Sequence, residues 1–502
     1  MYREGYKLFL LVVVALAAVT MSGCAQGSMD GSSNPNTAAS AESGKIPVTT
    51  SSDEAKKEFL RGRELAEKLL LQDSIQHFDK AVAIDPNFAS AELARANSSQ
   101  TAKEFFAHLN KAVGLADKAS EGERLLILAS QAGANGELVK QKEYLDKLVA
   151  AYPNDERANL NLGGYYFGQQ EFTKAIEYYK KSTELNGKYS PAYNILGYAY
   201  RQNGDYASAE QAFKKYIELI PSDPNPFDSY AELLLKMGKF EDSIAQYRKA
   251  LSIDPNFIAS RLGIASGLMY MGKADEANAE LQKIIDTARS DGDRRAALFG
   301  MAVVYADGGK MDKAIEAMDK QFAVAEKIND VAAMTGDLQG KGAILLEMGK
   351  YDDAKAQFER LLNMTDESAL SQEIKDNTRL FHHYNMVGVL LGKNDVAGAT
   401  KEADEFRKGA EKTKNPGQLK QSHELAAMIA LAQKDYDKAI AELQQTNQQN
   451  PYNLYRYCQA YGGKGDQAKA TEFCKKAAEF NSLPLLNYAF IRTKARKMST
   501  TS

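Results

Sequence analysis

A repeated unit of about 34 residues organises most of this chain. Pro86, Pro153, Pro221 and Pro255 are spaced at close to two, two and one copies of that unit. The segments between them have the apolar periodicity of amphipathic helices and no alternating strand pattern. A chain of 502 residues is too long for one ordinary core, but a core that grows by stacking similar units has no such limit. The sequence therefore predicts an all-α solenoid.

Two consecutive segments carry the repeat most clearly. When one is placed over the other at an offset of one unit, they match in a Leu-Gly pair, a Tyr, an Ala and a ring: Leu162-Gly163, Tyr166, Ala175 and Tyr179 against Leu196-Gly197, Tyr200, Ala209 and Phe213. Small residues let two antiparallel helices approach closely, and rings fill the space to the next pair. Each pair leaves an apolar face that only a neighbouring pair can cover, so the pairs must stack.

This pattern resembles the tetratricopeptide repeat family over most of residues 55–480. The resemblance implies a superhelical solenoid of about eleven to twelve helix pairs. Beyond residue 290 the small residues that mark second helices are spaced more widely than one such unit, which indicates longer helices or longer linkers. We therefore expect regular repeats over residues 53–290, longer repeats over residues 291–480 and a C-terminal tail over residues 481–502.

Residues 1–24 have the pattern of an exported lipoprotein. Arg3 and Lys7 precede an uncharged run over residues 8–19, which is too short to span a bilayer comfortably and is typical of a signal peptide. The run ends in Met-Ser-Gly-Cys, which resembles the lipobox of bacterial lipoproteins. In that family the cysteine, here Cys24, becomes the first residue and carries acyl chains such as palmitate. A plain signal peptide that ends beside a cysteine is the alternative.

The lipoprotein resemblance also implies a location and a tether. Ala25 is not the Asp that marks retention in the inner membrane, so we expect the outer membrane if the organism has two. Residues 1–23 would be removed as the signal peptide. Residues 24–52 are rich in Ser, Ala, Thr, Asn and Gly and cannot offset their chain entropy by burial, so we expect Cys24 to be followed by a disordered tether.

The composition argues against nucleic-acid binding, metal binding and catalysis. The net charge of -3 leaves no excess of Lys and Arg for phosphate contacts, and five His and three Cys leave few metal ligands. No Walker loop, Rossmann fingerprint, zinc-ligand spacing or nucleophile elbow is present in the sequence. His382 and His383 are adjacent, so on a helix they point about 100° apart and cannot jointly bind one metal ion. We expect no enzyme, no cofactor and no metal site.

Cys458 and Cys474 remain once Cys24 is assigned to acylation. An exported chain permits disulfides, and these two residues fall on the antiparallel helices of the last repeat. A bridge there would stabilise this terminal pair by about 3 kcal/mol on the chain-entropy estimate. Two small buried thiols, which are common in protein cores, are the alternative.

The resemblance to tetratricopeptide repeats also implies a binding surface. In that family the first helix of each pair lines the concave face, which binds ligands. The matching positions here are Asn161, Asn194, Tyr198, Arg201, Asp228, Glu232, Met269, Tyr270 and Phe299. They change along the chain from polar, with both signs of charge, to apolar, which favours a protein segment with an apolar anchor.

The leading hypothesis is a non-enzymatic scaffold, anchored in the bacterial envelope by acyl chains, that binds another envelope protein in this groove. The alternative is a component of polysaccharide export or glycan handling at the outer membrane, which exposed rows of aromatic residues along the groove would favour. An enzyme would need a catalytic domain, whereas the residues after 480 form only a short, partly basic tail.

Overall fold

The computed structural model describes residues 44–500 except Leu69 and Gln100, and it describes Thr500 by its backbone alone. The signal peptide, Cys24 and the first part of the predicted tether lie outside the described residues. Within them the chain is all-helical, with twenty-five α-helices. Twenty-four of these form twelve consecutive antiparallel pairs, and the last helix follows the twelfth pair. The predicted all-α solenoid and its repeat count are confirmed.

The described residues divide into two compact units. Apart from residues 100–103, which group with the second unit, the first unit ends at Ile220 and the second begins at Pro221. The first unit contains α1 Asp53–Glu67, α2 Leu71–Ile84, α3 Ala89–Asn97, α4 Ala102–Leu115, a 3-10 turn Ala116–Lys118, α5 Glu121–Asn135, α6 Leu138–Ala151, α7 Glu156–Gly168, α8 Phe172–Leu185, α9 Ser190–Gln202 and α10 Tyr206–Leu219.

The second unit contains four helices of 12 to 14 residues, then seven of 17 to 21 residues, and then four shorter ones. Its helices are α11 Asn225–Lys236, α12 Phe240–Ile253, α13 Ile258–Tyr270, α14 Ala274–Asp286, α15 Asp291–Asp307, α16 Met311–Lys327, α17 Val331–Glu347, α18 Tyr351–Glu367, α19 Gln372–Gly392, α20 Val396–Thr413, α21 Pro416–Ala432, α22 Tyr436–Leu443, α23 Pro451–Lys464, α24 Gln467–Ala478 and α25 Leu486–Thr500.

Close approach within the pairs depends on the small and aromatic positions seen in the sequence. A Cβ atom added to Gly163 would lie 2.6 Å from the ring of Tyr179, and one added to Gly197 would lie 2.7 Å from the ring of Phe213. The rings of Tyr179 and Phe213 are fully buried there. Since such distances are shorter than any van der Waals contact, only glycine permits this spacing of the helices.

The turns inside the pairs need a left-handed residue. In the second unit Gly238, Gly272, Gly309 and Gly349 hold φ between 72° and 80° just after a first helix. Only glycine adopts this conformation without a steric cost from Cβ. These turns keep the connections within each pair short.

The chain does not divide into its two units at the residue where the sequence predicted a change in repeat length. The sequence placed a boundary between residues 290 and 291, where the helices do lengthen to 17 residues, whereas the compact units divide at Pro221. Repeat length and contact density are separate properties, and the regular repeat spacing continues across Pro221. Periodicity therefore gives no sign of this division.

Residues 45–52, called here the N-terminal segment, are ordered against the first unit and not part of a disordered tether. The backbone N–H of Ile46 donates to the carboxylate of Asp155 at 3.0 Å, and Ile46 is buried. The ammonium group of Lys45 pairs with the carboxylate of Glu156. Asp155 and Glu156 open helix α7, and both are fully buried, so they need donors from another part of the chain.

The same segment continues over the starts of two earlier helices. The N–H of Thr49 donates to Glu123 at 3.0 Å, and the hydroxyl of Thr50 donates to Asp85 at 2.5 Å. Glu123 lies in the first turn of α5, and Asp85 precedes α3. The polar residues of this segment therefore donate hydrogen bonds to buried carboxylates. The prediction of a disordered tether is wrong for residues 45–52.

None of the helices in the described ranges carries an apolar stretch of the length needed to cross a bilayer.

Candidate binding surfaces of the two units

The nine residues predicted to line a groove all lie on first helices of pairs, but they belong to different units. Asn161 is on α7, and Asn194, Tyr198 and Arg201 are on α9, in the first unit. The other five are in the second unit on α11, α13 and α15, namely Asp228, Glu232, Met269, Tyr270 and Phe299. Each unit therefore has its own surface of first helices, and each surface is described separately.

In the first unit the predicted residues are partly engaged in local packing. The ring of Tyr198 packs edge-on against Phe213 at 5.2 Å, and the guanidinium of Arg201 lies over Tyr198 at 4.7 Å. Asn161 is buried, and its amide donates to the carbonyl of Arg157 at 2.8 Å. Asn194 is half-buried, so it and Arg201 are the predicted residues that reach the surface.

The same surface contains a buried charge cluster that the sequence did not indicate. It consists of Arg63 and Glu67 on α1, Glu156 and Arg157 on α7, and Tyr189 at the start of α9. Arg157 lies 3.4 Å from the Glu156 carboxylate, 3.9 Å from that of Glu67 and 5.3 Å from the Tyr189 ring centroid. Arg63 and Arg157 are 3% and 2% exposed, so both guanidinium groups have lost almost all contact with water.

Burial makes the charges of this cluster unfavourable. Burial, together with repulsion from Arg157, lowers the pKa of Arg63 to about 9. Burial also raises the pKa of Glu67 to about 7, although Arg157 and Arg63 oppose that change. Burial likewise disfavours ionised Glu156, but Arg157 and Lys45 outweigh it and hold the Glu156 pKa below its usual value. The cluster therefore has positive charge that its own carboxylates do not fully neutralise.

Most histidines of the described chain form contacts between helices. His77, His108, His383 and His423 each place Nδ1 2.6 to 2.7 Å from a glutamate carboxylate on the other helix of the same pair. Burial lowers the pKa of the fifth, His382. Among the described residues no group of three or more His, Cys, Asp or Glu side chains is arranged to hold a metal ion.

In the second unit the apolar part of the predicted groove packs against the chain's own C-terminal segment. Met269, Tyr270 and Phe299 belong to one core cluster with Tyr488 and Ile491. The hydroxyl of Tyr270 donates to the carbonyl of Ser482 and accepts from the N–H of the same residue at 3.2 Å. Helix α25 contacts the first helices α15, α17 and α23 as well as α24. Residues 481–500 are thus an integral part of the second unit and not a tail.

Polar pairs fix α25 on these first helices. Arg492 forms a bidentate pair with Asp307 at the end of α15, and both side chains are buried. Lys494 pairs with Glu347 at the end of α17, and the Tyr452 hydroxyl donates to the same carboxylate. Bidentate, desolvated arginine pairs have strict geometry, so they set the register of α25.

The two predicted acidic groove residues of the second unit are also buried. Asp228 accepts a hydrogen bond from the hydroxyl of Ser260 at 2.6 Å, and Glu232 is 8% exposed. Neither carboxylate therefore presents its charge to solvent. The sequence placed both on the correct helix but could not show that neighbouring first helices cover them.

Cys458 and Cys474 face each other across the last helix pair. Their Cα atoms are 5.0 Å apart, both side chains are buried, and the structure joins them as a disulfide. This Cα separation is within the usual range for a disulfide.

Tetratricopeptide repeat models match residues 155–222, 228–257 and 262–322. The chain is similar to the protein CTR9 homolog of Arabidopsis thaliana, with 23% identity over 36% of this chain and 18% of the relative. It is also similar to the TPR repeat-containing protein YpiA of Bacillus subtilis, with 23% identity over 33% of this chain and 38% of the relative. The chain thus spans well under half the length of either relative.

A solved tetratricopeptide repeat protein from Parabacteroides merdae is similar over 56% of this chain and 98% of its own, with 16% identity and a TM-score of 0.35. The three matched segments cover helices α7 to α10, α12, α14 and α15 in full and most of α11, α13 and α16. These are the pairs in which the Leu-Gly and aromatic positions recur. Over residues 155–222, 228–257 and 262–322 the chain is thus similar to tetratricopeptide repeats.

Proposed function

We propose that this protein is a non-enzymatic scaffold of a bacterial envelope, held at the membrane by acyl chains on Cys24, and that it binds a segment of another protein on the first helices of its first unit. Tetratricopeptide repeats are a protein-binding architecture, because stacked pairs form an extended surface of first helices. The first unit provides polar and charged side chains on that surface.

The observation that carries this proposal comes from the second unit. There the first helices α13, α15, α17 and α23 already hold a helical segment, α25, by apolar contacts and by the Arg492–Asp307 pair. Burial of an amphipathic helix on a helix-lined surface is a recurrent mode of peptide recognition. The same kind of surface in the first unit is suited to a segment from a partner.

Two further observations favour a protein partner over a glycan and over catalysis. Rows of exposed aromatic residues would suit sugar rings, but Tyr165, Tyr198 and Tyr270 are each 6 to 7% exposed. Four of the five histidines and many of the buried carboxylates of the described chain are paired with neighbouring helices. The proposal therefore assigns no reaction to the protein.

The membrane attachment in this proposal rests on the lipobox resemblance at residues 21–24. The N-terminal segment fixes the chain to the first unit from Lys45 onward. Since a fully extended residue spans at most about 3.6 Å, Cys24 and Gly44 can be no more than about 70 Å apart. An acylated Cys24 would thus keep the first unit within that distance of the membrane surface.

Photocrosslinking in the native host tests the binding surface. A photoreactive residue at Asn194 or Tyr200, both half-buried on α9, should capture the same envelope protein, and one at Lys181, exposed on α8, should not. Equal capture from all three positions, or no reproducible adduct from α9, would contradict the proposal.

A Cys24→Ser variant tests the attachment separately. We expect loss of labelled palmitate and release of the chain from the membrane fraction. A variant that still sediments with membranes would show that Cys24 does not hold the protein there.

A further inference from the structure

The buried charge cluster of the first unit contains polar atoms of both kinds that no described residue satisfies. Nη1 of Arg63 and both Nε and Nη2 of Arg157 are buried donors without a hydrogen bond in the described chain, and Oε1 of Glu67 is a buried acceptor in the same condition. Buried polar groups are normally paired, and an unpaired one costs the desolvation of the group. A small ligand that accepts from both guanidinium groups and donates to the carboxylate would complete these hydrogen bonds.

These atoms lie on two first helices and are closed off from other proteins. Arg63 and Glu67 are one turn apart on α1 and therefore share a face of that helix. Arg157 lies in the first turn of α7, and its Nη2 is 3.9 Å from the Glu67 carboxylate, which is about 1 Å too far for a hydrogen bond. Since Arg63 is 3% and Arg157 is 2% exposed, a polypeptide segment of a partner cannot contact either guanidinium group in this structure. The ligand is therefore a small ion or molecule.

The charges around these atoms do not balance. Lys45, Arg63 and Arg157 contribute three positive charges, and Glu67 and Glu156 contribute two negative charges when both are ionised. Lys45 pairs with one oxygen of Glu156, and the other oxygen lies 3.4 Å from Nη1 of Arg157. A ligand with one negative charge would thus neutralise the cluster.

We propose that Arg63, Arg157 and Glu67 bind one bicarbonate ion inside the first unit. Bicarbonate has one negative charge, two oxygens that match the paired N–H groups of a guanidinium, and one hydroxyl that donates a hydrogen bond. The two oxygens accept from the arginines, and the hydroxyl donates to Oε1 of Glu67. This inference goes beyond the proposed function, because an ion enclosed between helices is distinct from a partner bound on their surface.

Other small anions match only part of this site. Chloride and formate accept hydrogen bonds but have no donor for Glu67, so Oε1 would remain unsatisfied. A phosphate dianion would leave a net negative charge in a desolvated position, which is unfavourable. Formate has a hydrogen atom where bicarbonate has its hydroxyl, so a comparison of these two anions isolates the hydrogen bond to Glu67.

Calorimetric titration of the purified full chain at pH 8 and fixed chloride concentration tests the inference. At this pH bicarbonate is the main form of dissolved carbonate, and Glu67, whose pKa burial raises to about 7, is mostly ionised. We expect one bicarbonate site and at least about tenfold weaker binding of formate, because a hydrogen bond to a charged group contributes at least that factor. Equal affinity for the two anions, or no binding of bicarbonate, would overturn the inference. Tighter binding of phosphate than of bicarbonate would overturn the identity of the ligand.

Arginine variants locate the site. Arg63→Gln and Arg157→Gln should each abolish bicarbonate binding, whereas Arg61→Gln, the matched control, should bind like the wild type because Arg61 is exposed on the same helix as Arg63. Bicarbonate should also raise the unfolding midpoint of the wild type, because a ligand that binds only the folded state stabilises it, and should leave that of Arg157→Gln unchanged. Arg63→Lys keeps the charge and should bind more weakly, which provides a readout if the Gln variant folds poorly. Bicarbonate binding that is unchanged in both Gln variants would overturn the assigned site.

Glu67→Met tests the acceptor with little change in side-chain size. Loss of the negative charge should favour both anions equally, but only bicarbonate loses a hydrogen bond. The ratio of bicarbonate affinity to formate affinity should therefore fall from about ten to about one. A ratio that stays at the wild-type value would show that Glu67 does not accept from the ligand and would overturn the inference.

Discussion

The two units are built from the same helix pairs but use the surface of their first helices differently. In the first unit this surface contains Arg63 and Arg157, whose hydrogen bonds are incomplete, and the N-terminal segment runs along its helix starts. In the second unit the corresponding helices are covered by α25 through an apolar core and the Arg492–Asp307 pair. The repeat therefore determines the fold of both units, whereas the segments outside the repeat determine which first helices the chain itself covers.

The substitution with the largest expected effect tests whether α25 is part of the core of the second unit. Ile491 is fully buried, so Ile491→Asp places an unpaired charge among Tyr270, Phe299 and Tyr488. We expect a loss of about 4 kcal/mol in the free energy of unfolding of the second unit, with the first unit unaffected. Urea unfolding, followed by hydrogen exchange in each unit, measures it.

Thr493→Asp is the control for that variant, because Thr493 is exposed on the same helix. It should change the stability by less than about 0.5 kcal/mol. If both variants had the same small effect, α25 would be a loosely attached tail and the two units would not differ in the way described.

The disulfide at the end of the second unit has the next largest expected effect. Cys458 and Cys474 are 16 residues apart in the chain, and a bridge over so short a loop stabilises by about 3 kcal/mol in the chain-entropy model. Alkylation of the unfolded chain should therefore add no mass to these cysteines without reductant and two adducts with reductant. Reduction should lower the unfolding midpoint of the second unit alone. Two adducts on the unfolded chain without reductant would identify buried thiols instead.

The buried charge cluster gives the first unit a pH dependence. Burial raises the pKa of Glu67 from 4.5 to about 7, so the folded chain binds more protons than the unfolded chain between those values. The Glu67 contribution to stability is therefore present below pH 4.5 and is lost as the pH rises through 7. We expect about 2 kcal/mol less stability of the first unit at pH 8 than at pH 5 from this group.

Glu67→Gln should remove this part of the pH dependence, and the difference between wild type and variant isolates it from other titrating groups. Denaturant unfolding of the first unit at pH 5, 6, 7 and 8 is the measurement. A wild-type profile that runs parallel to that of the variant would mean that Glu67 is ionised normally and that the cluster is not desolvated.

The sequence allowed the repeats to be predicted because they are a local property. The Leu-Gly and aromatic positions, such as Gly163 with Tyr179, recur once in each unit of the repeat, and the packing that they predict is present. Neither terminal segment could be predicted in this way. The N-terminal segment binds by backbone N–H groups and by the side chains of Lys45 and Thr50, which do not recur as a pattern in the sequence. Helix α25 lies outside the period, although residues 485–491 are largely apolar.

The candidate site was predictable only in part, for a related reason. Asn194 and Arg201 were predicted because they occupy the same repeat positions that bind ligands in the resembled family. Arg63 and Arg157 are far apart in the chain and belong to different repeats, so only the superhelical arrangement of α1 and α7 brings them together. Burial of a charged residue is not visible in a sequence. Arg61 and Arg63 are both arginines on the same helix, but Arg61 is exposed and Arg63 is buried.

The substitution with the smallest expected effect tests whether the N-terminal segment contributes to the stability of the first unit. Asp155 caps α7 through the N–H groups of Arg157 and Ala158 and also accepts from Ile46, whereas the exposed Asp205 caps α10 through the N–H of Ser208 and receives nothing from the segment. Loss of a helix cap costs about 1 kcal/mol, so Asp205→Ala should cost that amount. Asp155→Ala should cost about 1 kcal/mol more, because it also removes a buried hydrogen bond to a charged group. Hydrogen exchange at the Ile46 amide should accelerate in Asp155→Ala alone, and an unchanged rate there would mean that the segment is held by its other contacts and not by Asp155.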